Sequence, residues 1–260
     1  MTMTMRSLAA HALIAAALTL GASRSSEAAL FLKIAANAAS VSCDNSTAAG
    51  VAACSSSGFA TSVDSNLITF TGAVGGYGVS GLSLGANVPG SGSSAFVLDS
   101  KFDVTHSSGA GDLQLSFAAY NFTQPVGPDL LLSASQTANW TTGVAGDSVT
   151  LQAWARSDNL PTIPNGNATA VAPSLTSPGG PAADSSQSAD VPFTSLVTPF
   201  ALTAVQTIQQ AVGDTASYSG TASASDANSA QLSAQAVPEP SSLLLLGTGV
   251  MGLLYWRRKR

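Results

Sequence analysis

Residues that could carry out catalysis are scarce in this sequence. His106 is the single histidine outside the apolar segment near the N-terminus. It could serve as the base of a Ser-His-Asp triad, but Ser and Asp are so frequent in this chain that a nearby Ser or Asp carries no information. We therefore expect His106 to be a strand residue near a turn, and the number of histidines excludes a zinc site built on them. The sequence predicts a protein without enzymatic activity and without a cofactor.

The carboxylates offer a weak case for a cation site. Asp99 and Asp103 are the closest pair, and residues of the same parity share one face of an extended strand. One interpretation is calcium bound at an acidic sheet edge, and the favoured one is a solvated acidic face. The sequence has no D-x-D-x-D-G loop of the EF-hand type. No spacing selects a pair of carboxylates for glycoside hydrolysis.

Three aromatic residues are candidates for stacking against a sugar ring. They are Trp140, Trp154 and Tyr120. Trp154 has the parity opposite to the apolar residues of its segment, so it is predicted to face outward, next to polar side chains. An exposed aromatic ring in such surroundings suits carbohydrate contact. The alternative is that the tryptophans belong to the core.

Two cysteines, Cys43 and Cys54, are predicted to form a disulfide. An even number of cysteines in an exported chain favours this pairing. Ten residues without a histidine separate them, which argues against a redox or metal pair. The bond would close a short loop rich in Gly, Ala, Ser and Thr, and would stabilise the fold by about 2–3 kcal/mol in the chain-entropy model.

Period-two alternation of apolar and polar residues predicts antiparallel strands. Residues 29–41, 66–71 and 74–84 are short apolar runs bounded by turn residues. In 95–106, Phe96, Leu98, Phe102, Val104 and His106 would face the core, and residues 112–123 would pair with this run as a hairpin. The fold class is therefore all-β, a single antiparallel β-sandwich ectodomain over residues 29–236.

The segment 160–193 is predicted to be a flexible surface loop within this ectodomain. It holds half of the twelve prolines of the chain and many Gly, Ser, Asp and Asn residues. The following segment, 194–212, is ambiguous, because its apolar residues have helical spacing while its flanks favour strands. Residues 218–235 are interpreted as a last strand and a spacer.

The charge of residues 29–236 excludes one class of partner. Twelve Asp and no Glu stand against Lys33, Lys101 and Arg156, a net charge of about −9. Such a surface repels phosphate backbones, so no nucleic-acid partner is expected. Scarce charges with abundant Ser, Thr, Ala and Gly favour an extracellular β-protein over a cytosolic helical one.

The N-terminus has the pattern of a secretory signal peptide. Arg6 precedes an apolar segment from Leu8 to Leu20, and small residues follow. Cleavage is expected after Ala28, with Ala22 as a second option, so residues 1–28 would direct the chain to the Sec translocon. A first transmembrane helix is the alternative, but the apolar segment is short and rich in alanine.

The C-terminus combines an apolar run with a basic tail. Leu243 to Trp256 would be about 21 Å long as a helix, short for a bilayer core of about 30 Å unless flanking residues extend it. Cations cost about 2.5–3.5 kcal/mol each at the bilayer centre, so the tail stays in the cytoplasm and the ectodomain lies outside. The residues concerned are Leu243, Leu244, Leu245, Leu246 and Trp256 in the transmembrane helix, and Arg257, Arg258, Lys259 and Arg260 in the tail.

The sequence from Val237 to Arg260 resembles the PEP-CTERM sorting signal of exopolysaccharide-producing Gram-negative bacteria. Val-Pro-Glu-Pro-Ser-Ser precedes the apolar run, and Trp-Arg-Arg-Lys-Arg ends the chain. The resemblance implies processing by exosortase, with Pro238, Glu239 and Pro240 as the recognition motif. More loosely, residues 68–72 and 112–117 are similar to ectodomains found with this signal, which supports the fold and says little about activity.

These observations predict an exported, non-enzymatic protein of the cell envelope or extracellular matrix. The C-terminal helix would anchor it in the inner membrane until exosortase processes it. The alternative is a lectin-like module that binds exopolysaccharide through Trp154. Four Asn-x-Ser/Thr sequences, at Asn45, Asn121, Asn139 and Asn167, are attributed to chance in a chain this rich in Asn, Ser and Thr.

Overall fold

A computed structural model describes residues 29–227, apart from 64, 162–167 and 194–197. Contacts within the chain divide it into one unit that ends at Asp226 and a second that begins at Ala227. The elements described below all belong to the first unit. The predicted signal peptide (1–28) and the predicted sorting signal (237–260) lie outside the described residues.

Fourteen strands and one helix make up the described part of the chain. Long stretches of alternating side chains account for most of the strands, because each strand buries one face and leaves the other to solvent. In chain order, the elements are β1 Ala29–Ala36, β2 Ala39–Asp44, α1 Ala48–Ser56, β3 Phe59–Ala60, β4 Leu67–Val74, β5 Tyr77–Ala86, β6 Ser94–His106, β7 Leu113–Phe122, β8 Leu130–Trp140, β9 Ser148–Arg156, β10 Ala168–Thr176, β11 Ala182–Gln187, β12 Val191–Phe193, β13 Phe200–Gln209 and β14 Thr215–Asp226.

The strands form two antiparallel sheets that enclose one apolar core. The six-stranded sheet has the order β10-β9-β13-β7-β1-β2. The eight-stranded sheet has the order β11-β8-β14-β6-β5-β4-β3, and β12 pairs with β8. Inward residues of both sheets, such as Leu32, Phe117 and Val104, belong to one buried cluster. The antiparallel all-β prediction is confirmed, with a sandwich-like arrangement of the two sheets.

The predicted hairpin between residues 95–106 and 112–123 is wrong. β6 pairs with β5 and β14, whereas β7 pairs with β1 and β13 in the other sheet. The connection includes Gly109 and Gly111, both at positive φ, a conformation that glycine adopts at little cost. It carries the chain across the sandwich, so the apolar faces of β6 and β7 pack on opposite sides of the core instead of side by side.

The face predicted for the first half of β6 is also wrong. Val97 and Asp99 are buried, while Phe96 and Leu98 are only half-buried. From Phe102 onward the even residues face the core as predicted. The pairing with β14 shifts register between Tyr218 and Gly220, and this irregularity reverses the parity of β6 between its two halves. Asp99 and Asp103 therefore lie on opposite faces.

The segment predicted as a flexible loop, 160–193, contains three strands. β10 buries Ala168, Ala170 and Ala172 on one face, a period-two pattern of small residues that the prolines of the segment obscured. Pro173 lies where the register of β10 with β9 shifts, and Pro192 lies in the three-residue strand β12. Proline is tolerated at such irregular and edge positions. The ambiguous segment that follows contains strand β13.

The disulfide between Cys43 and Cys54 is present, as predicted. The connecting residues form a helix, α1, and not the loop that their composition suggested. The Thr47 side chain accepts a hydrogen bond from the Gly50 amide at 3.0 Å, which satisfies one free amide of the first turn. Alanine then favours the helical state. The bond ties α1 to β2, an edge strand of the six-stranded sheet.

Candidate functional site

Three adjacent rows of outward side chains run across the strands of the six-stranded sheet and concern the candidate site. Residues directly opposite each other in antiparallel strands point to the same side, so the pairing registers define the rows. The aromatic row contains Thr169, Trp154, Thr203, Ala118, Phe31 and Asp44; the middle row contains Val171, Gln152, Val205, Ser116, Lys33 and Ser42; the lower row contains Thr150, Thr207, Gln114, Ala35 and Ser40.

A groove of about 610 Å³ lies on this face and is lined by members of all three rows. Thr203 and Ala118 of the aromatic row are fully buried, whereas Gln152 and Val205 of the middle row are half-buried and Lys33 is exposed. Solvent therefore reaches the sheet along the middle row. The groove is an open surface feature of a size that suits a small-molecule ligand.

Trp154 faces outward, as its parity predicted, but only 6% of it is exposed. The chain after β9 returns to this face, because Pro161 lines the groove together with Trp154. Asn159 holds this connection to the end of β7: its Oδ1 accepts from the Asn121 amide at 2.8 Å, and its Nδ2 donates to Asn121 Oδ1 at 2.8 Å. The indole of Trp154 is therefore a mostly covered part of the groove lining. Its contact with a glycan stays a prediction.

An ion pair between Arg156, the last residue of β9, and Asp158 lies at the start of this connection. Arg156 Nε donates to Asp158 Oδ1 at 3.0 Å. The hydrogen bond from Arg156 lowers the pKa of Asp158, and the same bond raises the pKa of Arg156. Asp158 is largely exposed, so the pair contributes little to stability. Its effect is to orient the backbone that leads to Asn159.

Polar side chains of the groove are not used by the fold. Gln114, Gln152, Ser116, Thr150 and Thr207 make no side-chain hydrogen bond to any residue that the structure describes. Amide and hydroxyl groups of this kind can both donate and accept. Since they surround apolar side chains on the same face, the groove combines hydrogen-bonding capacity with an apolar surface.

The other two aromatic candidates do not join this site. Trp140 faces the core and is 1% exposed. Tyr120 is half-buried and donates to Asp44 Oδ1 at 2.8 Å. Phe31, which parity alone would have placed outward on β1, is the aromatic residue that sequence reasoning missed. Pairing of β1 with β7 and of β7 with β13 was needed to bring it into the row of Trp154.

His106 is buried near a turn, as predicted. Its Nδ1 lies 2.6 Å from the carbonyl oxygen of Gln210, and its Nε2 lies 3.2 Å from that of Ser108. The ring stacks on Tyr77 with 4.0 Å between centroids. Because both nitrogens face backbone carbonyls, neither is directed at a serine hydroxyl in the way that a triad requires.

A five-residue sequence in β5, Gly81 to Gly85, fits the G-x-S-x-G pattern of hydrolase nucleophiles. That pattern has its catalytic meaning at a sharp turn between a strand and a helix. Here it lies inside one strand, where Ser83 pairs with Thr69 of β4. The match therefore has no nucleophile geometry, and Ser83 is an ordinary strand residue.

Asp99 is buried in the core whereas Asp103 is exposed, so the two carboxylates do not form a shared cation site. Asp99 is 1% exposed, accepts a hydrogen bond from the Gly220 amide, and has a second oxygen with no partner among the described residues. Burial raises its pKa well above the ordinary value. Asp103 points to the opposite side and accepts from Ser217 Oγ at 2.6 Å. The interpretation of the pair as a shared acidic face is therefore wrong.

Asp147 and Asp214 tie the loop after β8 to the turn between β13 and β14. Asp147 Oδ1 accepts from the Ala211 amide at 2.8 Å, and Asp214 Oδ2 accepts from the Val144 amide at 3.0 Å. Burial and then the neighbouring Asp214 raise the pKa of Asp147. Within the described part of the chain, no group of three or more His, Cys, Asp or Glu side chains could hold a metal ion.

Tyrosines beneath this carboxylate pair are strongly desolvated. Burial raises the pKa of Tyr77 to about 12, with smaller contributions from Asp112 and Asp147. Burial likewise raises the pKa of Tyr218. Tyr77 donates to the Gly111 carbonyl at 2.7 Å. These phenols are therefore neutral core groups and not candidate nucleophiles.

One of the Asn-x-Ser/Thr sequences has a clear structural use. Asn45 is fully buried, and its Oδ1 accepts from the Leu30 amide at 2.8 Å while its Nδ2 donates to the Ser65 carbonyl at 2.7 Å. A side chain in this position is closed to modification once the chain has folded. Asn139 lies exposed on β8.

The residues predicted for sorting and anchoring, Pro238 to Arg260, lie outside the described residues, as does the predicted signal peptide. Of the helices in the described ranges, none has both the length and the apolar character that a membrane crossing requires. The predicted transmembrane helix from Leu243 to Trp256 is therefore neither supported nor contradicted by the fold.

Two solved structures show a distant likeness to this chain. The enzymatically active domain of tailspike protein 4 from bacteriophage CBA120 is 9% identical, with 55% of this chain and 19% of that chain covered and a TM-score of 0.28. TmCBM61 in complex with β-1,4-galactotriose is 10% identical, with 55% and 88% covered and a TM-score of 0.25. Likenesses of this size carry no argument about function. No curated protein matches the chain.

Comparison with protein families gives a specific match at the C-terminus. Residues 236–260 match the PEP-CTERM protein-sorting motif. They include the Pro-Glu-Pro sequence, the apolar run and the basic tail. The motif implies an exported protein that is anchored in a membrane and then processed by exosortase. The chain therefore carries a PEP-CTERM sorting motif at residues 236–260, which supports its assignment as a substrate of exosortase.

Proposed function

We propose that this chain is a non-enzymatic protein of the cell envelope or extracellular matrix. The Sec translocon exports it, the helix from Leu243 to Trp256 anchors it in the inner membrane, and exosortase then processes it. The sorting motif at residues 236–260 is the observation that carries the proposal. The geometry of His106, with both ring nitrogens directed at backbone carbonyls, supports the non-enzymatic part.

Physical chemistry assigns a role to each part of the signal. Pro238, Glu239 and Pro240 form the recognition motif, in which Glu239 supplies the single carboxylate. The apolar run enters the bilayer. Arg257 to Arg260 resist translocation and keep the tail in the cytoplasm. A span this short holds the ectodomain at the membrane until the chain is cut.

Substitution of the glutamate tests the proposal. In cells that express the exosortase, the Glu239→Ala chain should keep its C-terminal segment and accumulate in the inner-membrane fraction, while the wild-type chain leaves that fraction with a lower mass. Gln235→Ala, immediately before the motif, is the matched control and should behave as the wild type. Equal mass and location of the Glu239→Ala and wild-type proteins would contradict exosortase processing.

A second candidate function is the binding of carbohydrate in the envelope. The groove on the six-stranded sheet favours it, because this face presents apolar side chains and polar groups that the fold leaves without hydrogen bonds among the described residues. Carbohydrate-binding surfaces need both kinds of group.

A further inference from the structure

We infer that the middle row of the six-stranded sheet is a binding site for an uncharged oligosaccharide chain that lies across the strands, from Val171 on β10 to Lys33 on β1. The inference rests on the proposed carbohydrate binding and adds the place, the orientation and the charge class of the ligand. The row crosses five strands and therefore four interstrand spacings, so it spans about 19 Å at ~4.8 Å per spacing. An extended sugar chain fits such a length, whereas a single small metabolite would occupy only part of it.

The first argument is the hydrogen-bonding capacity of the groove. Gln152 and Ser116 lie in the middle row, and Gln114, Thr150 and Thr207 lie beside them in the lower row. None of these side chains hydrogen-bonds to a described residue. Sugar hydroxyls both donate and accept, as these amides and hydroxyls do. A ligand of this class can therefore use groups that the fold leaves open.

The second argument is the apolar surface between these polar groups. Val171 is 58% exposed at one end of the row, and Val205 is half-buried at its centre. Phe31 is half-buried in the adjacent aromatic row, with Trp154 beneath the covering connection. Sugar rings carry apolar C–H faces that pack on such side chains. The alternation of valine with amide and hydroxyl groups along one row matches the amphipathic character of a sugar chain.

The third argument is charge. Lys33 is the single charged residue of the groove lining among the described residues, and no carboxylate lines it. A metal ion would find no ligand of negative charge there. Residues 29–236 carry a net charge of about −9, so a polyanionic chain is repelled by the protein as a whole. An uncharged saccharide meets neither obstacle.

Binding of defined glycans to the full-length chain in detergent micelles tests the inference. The probes are cello-, xylo- and galacto-oligosaccharides as uncharged ligands and an oligo-uronate as the charged one, measured by titration calorimetry. We expect an uncharged probe to bind and the Gln114→Ala/Gln152→Ala variant to bind it about tenfold more weakly, because two hydrogen-bonding groups are lost. Gln187→Ala, an exposed glutamine of the other sheet, should bind as the wild type.

A second variant protects the test against misfolding. Val205 is a half-buried outward residue, and threonine is also β-branched, so Val205→Thr should change the melting temperature little while it weakens binding about threefold by making the surface polar. Binding of an uncharged probe should depend little on salt, because Lys33 is the single charged residue of the lining among the described residues.

The outcomes separate the inference from the functions on which it stands. If no glycan binds, carbohydrate binding itself is wrong. If an uncharged glycan binds equally to the wild type and to both groove variants, the protein binds carbohydrate elsewhere and the inferred site is wrong. If only the oligo-uronate binds, with an affinity that salt or Lys33→Gln abolishes, the charge class is wrong. None of these results depends on the fate of the Glu239→Ala chain in cells.

Discussion

On the outer face of the eight-stranded sheet, hydroxyl side chains of neighbouring strands hydrogen-bond to one another. Thr137 and Ser219 lie 2.8 Å apart, Ser133 and Ser223 2.9 Å, and Thr105 and Thr215 3.2 Å. Each pair is directly opposite in the register of β14 with its neighbour. On the outer face of the six-stranded sheet, Ser148 and Gln209 pair at 3.2 Å in the same way, but the side chains of Gln114 and Gln152 have no hydrogen-bond partner among the described residues.

The two faces therefore use polar residues differently, although both are solvated sides of antiparallel sheets. Paired hydroxyls satisfy one another across the strands and leave little capacity for a ligand. Gln152 lies between Val171 and Val205 in the register, and neither valine can hydrogen-bond to its amide. This difference is the reason for proposing the face of the six-stranded sheet, and not that of the eight-stranded sheet, as the glycan-binding surface.

The largest expected effect concerns Trp154. Trp154→Ala should lower the free energy of unfolding by about 3–5 kcal/mol, because a mostly buried indole is removed. Phe96→Ala, at a half-buried position on the outer face of the eight-stranded sheet, should cost only about 1 kcal/mol. Urea unfolding followed by tryptophan fluorescence and circular dichroism measures both. A loss for Trp154→Ala no larger than that for Phe96→Ala would show that the connection after β9 does not cover the indole.

An intermediate effect separates the two faces of β6. The folded-state pKa of Asp99 is raised above the ordinary value of 3.8, so its protonated form stabilises the fold at low pH, and this stability is lost as pH rises from about 4 through the folded-state pKa. Asp99→Asn should remove that decline and raise the free energy of unfolding at pH 7 by at least about 1 kcal/mol.

Asp103→Asn, on the outward face four residues later, is the matched control. It should change the free energy of unfolding at pH 7 by about 0.5 kcal/mol or less. Denaturant titrations of the three proteins between pH 4 and pH 8 give the comparison. If the free energy of unfolding of the wild type depended on pH in the same way as that of Asp99→Asn, a buried neutral carboxyl group at Asp99 would be contradicted.

The smallest expected effect concerns the hydroxyl pairs of the eight-stranded sheet. In a double-mutant cycle, Thr137→Val and Ser219→Ala should show a coupling energy of about 0.2–1 kcal/mol. Glycan affinity should not change, because this face is already paired. Weaker binding of an uncharged glycan by Thr137→Val would place the ligand on this face and reverse the comparison between the sheets.

How much the sequence predicted depends on the range of the interactions concerned. The parity of Trp154 relative to the apolar residues of its segment correctly predicted its outward position. The two cysteines gave the disulfide. The hairpin of 95–106 with 112–123 was wrong, because alternation indicates faces and not neighbours. The strand β10 was missed because its core residues are alanines, whose apolar signal is weak.

The sequence by itself determined the sorting signal, the antiparallel β class and the covalent link between Cys43 and Cys54, since each depends on residues close together in the chain or on a local period of two. Only the tertiary structure decided that β6 and β7 lie in different sheets, that Asp99 is buried, and that Phe31 shares a row with Trp154. These features depend on strand register and on packing between strands that are distant in the sequence. A local period of two specifies neither of them.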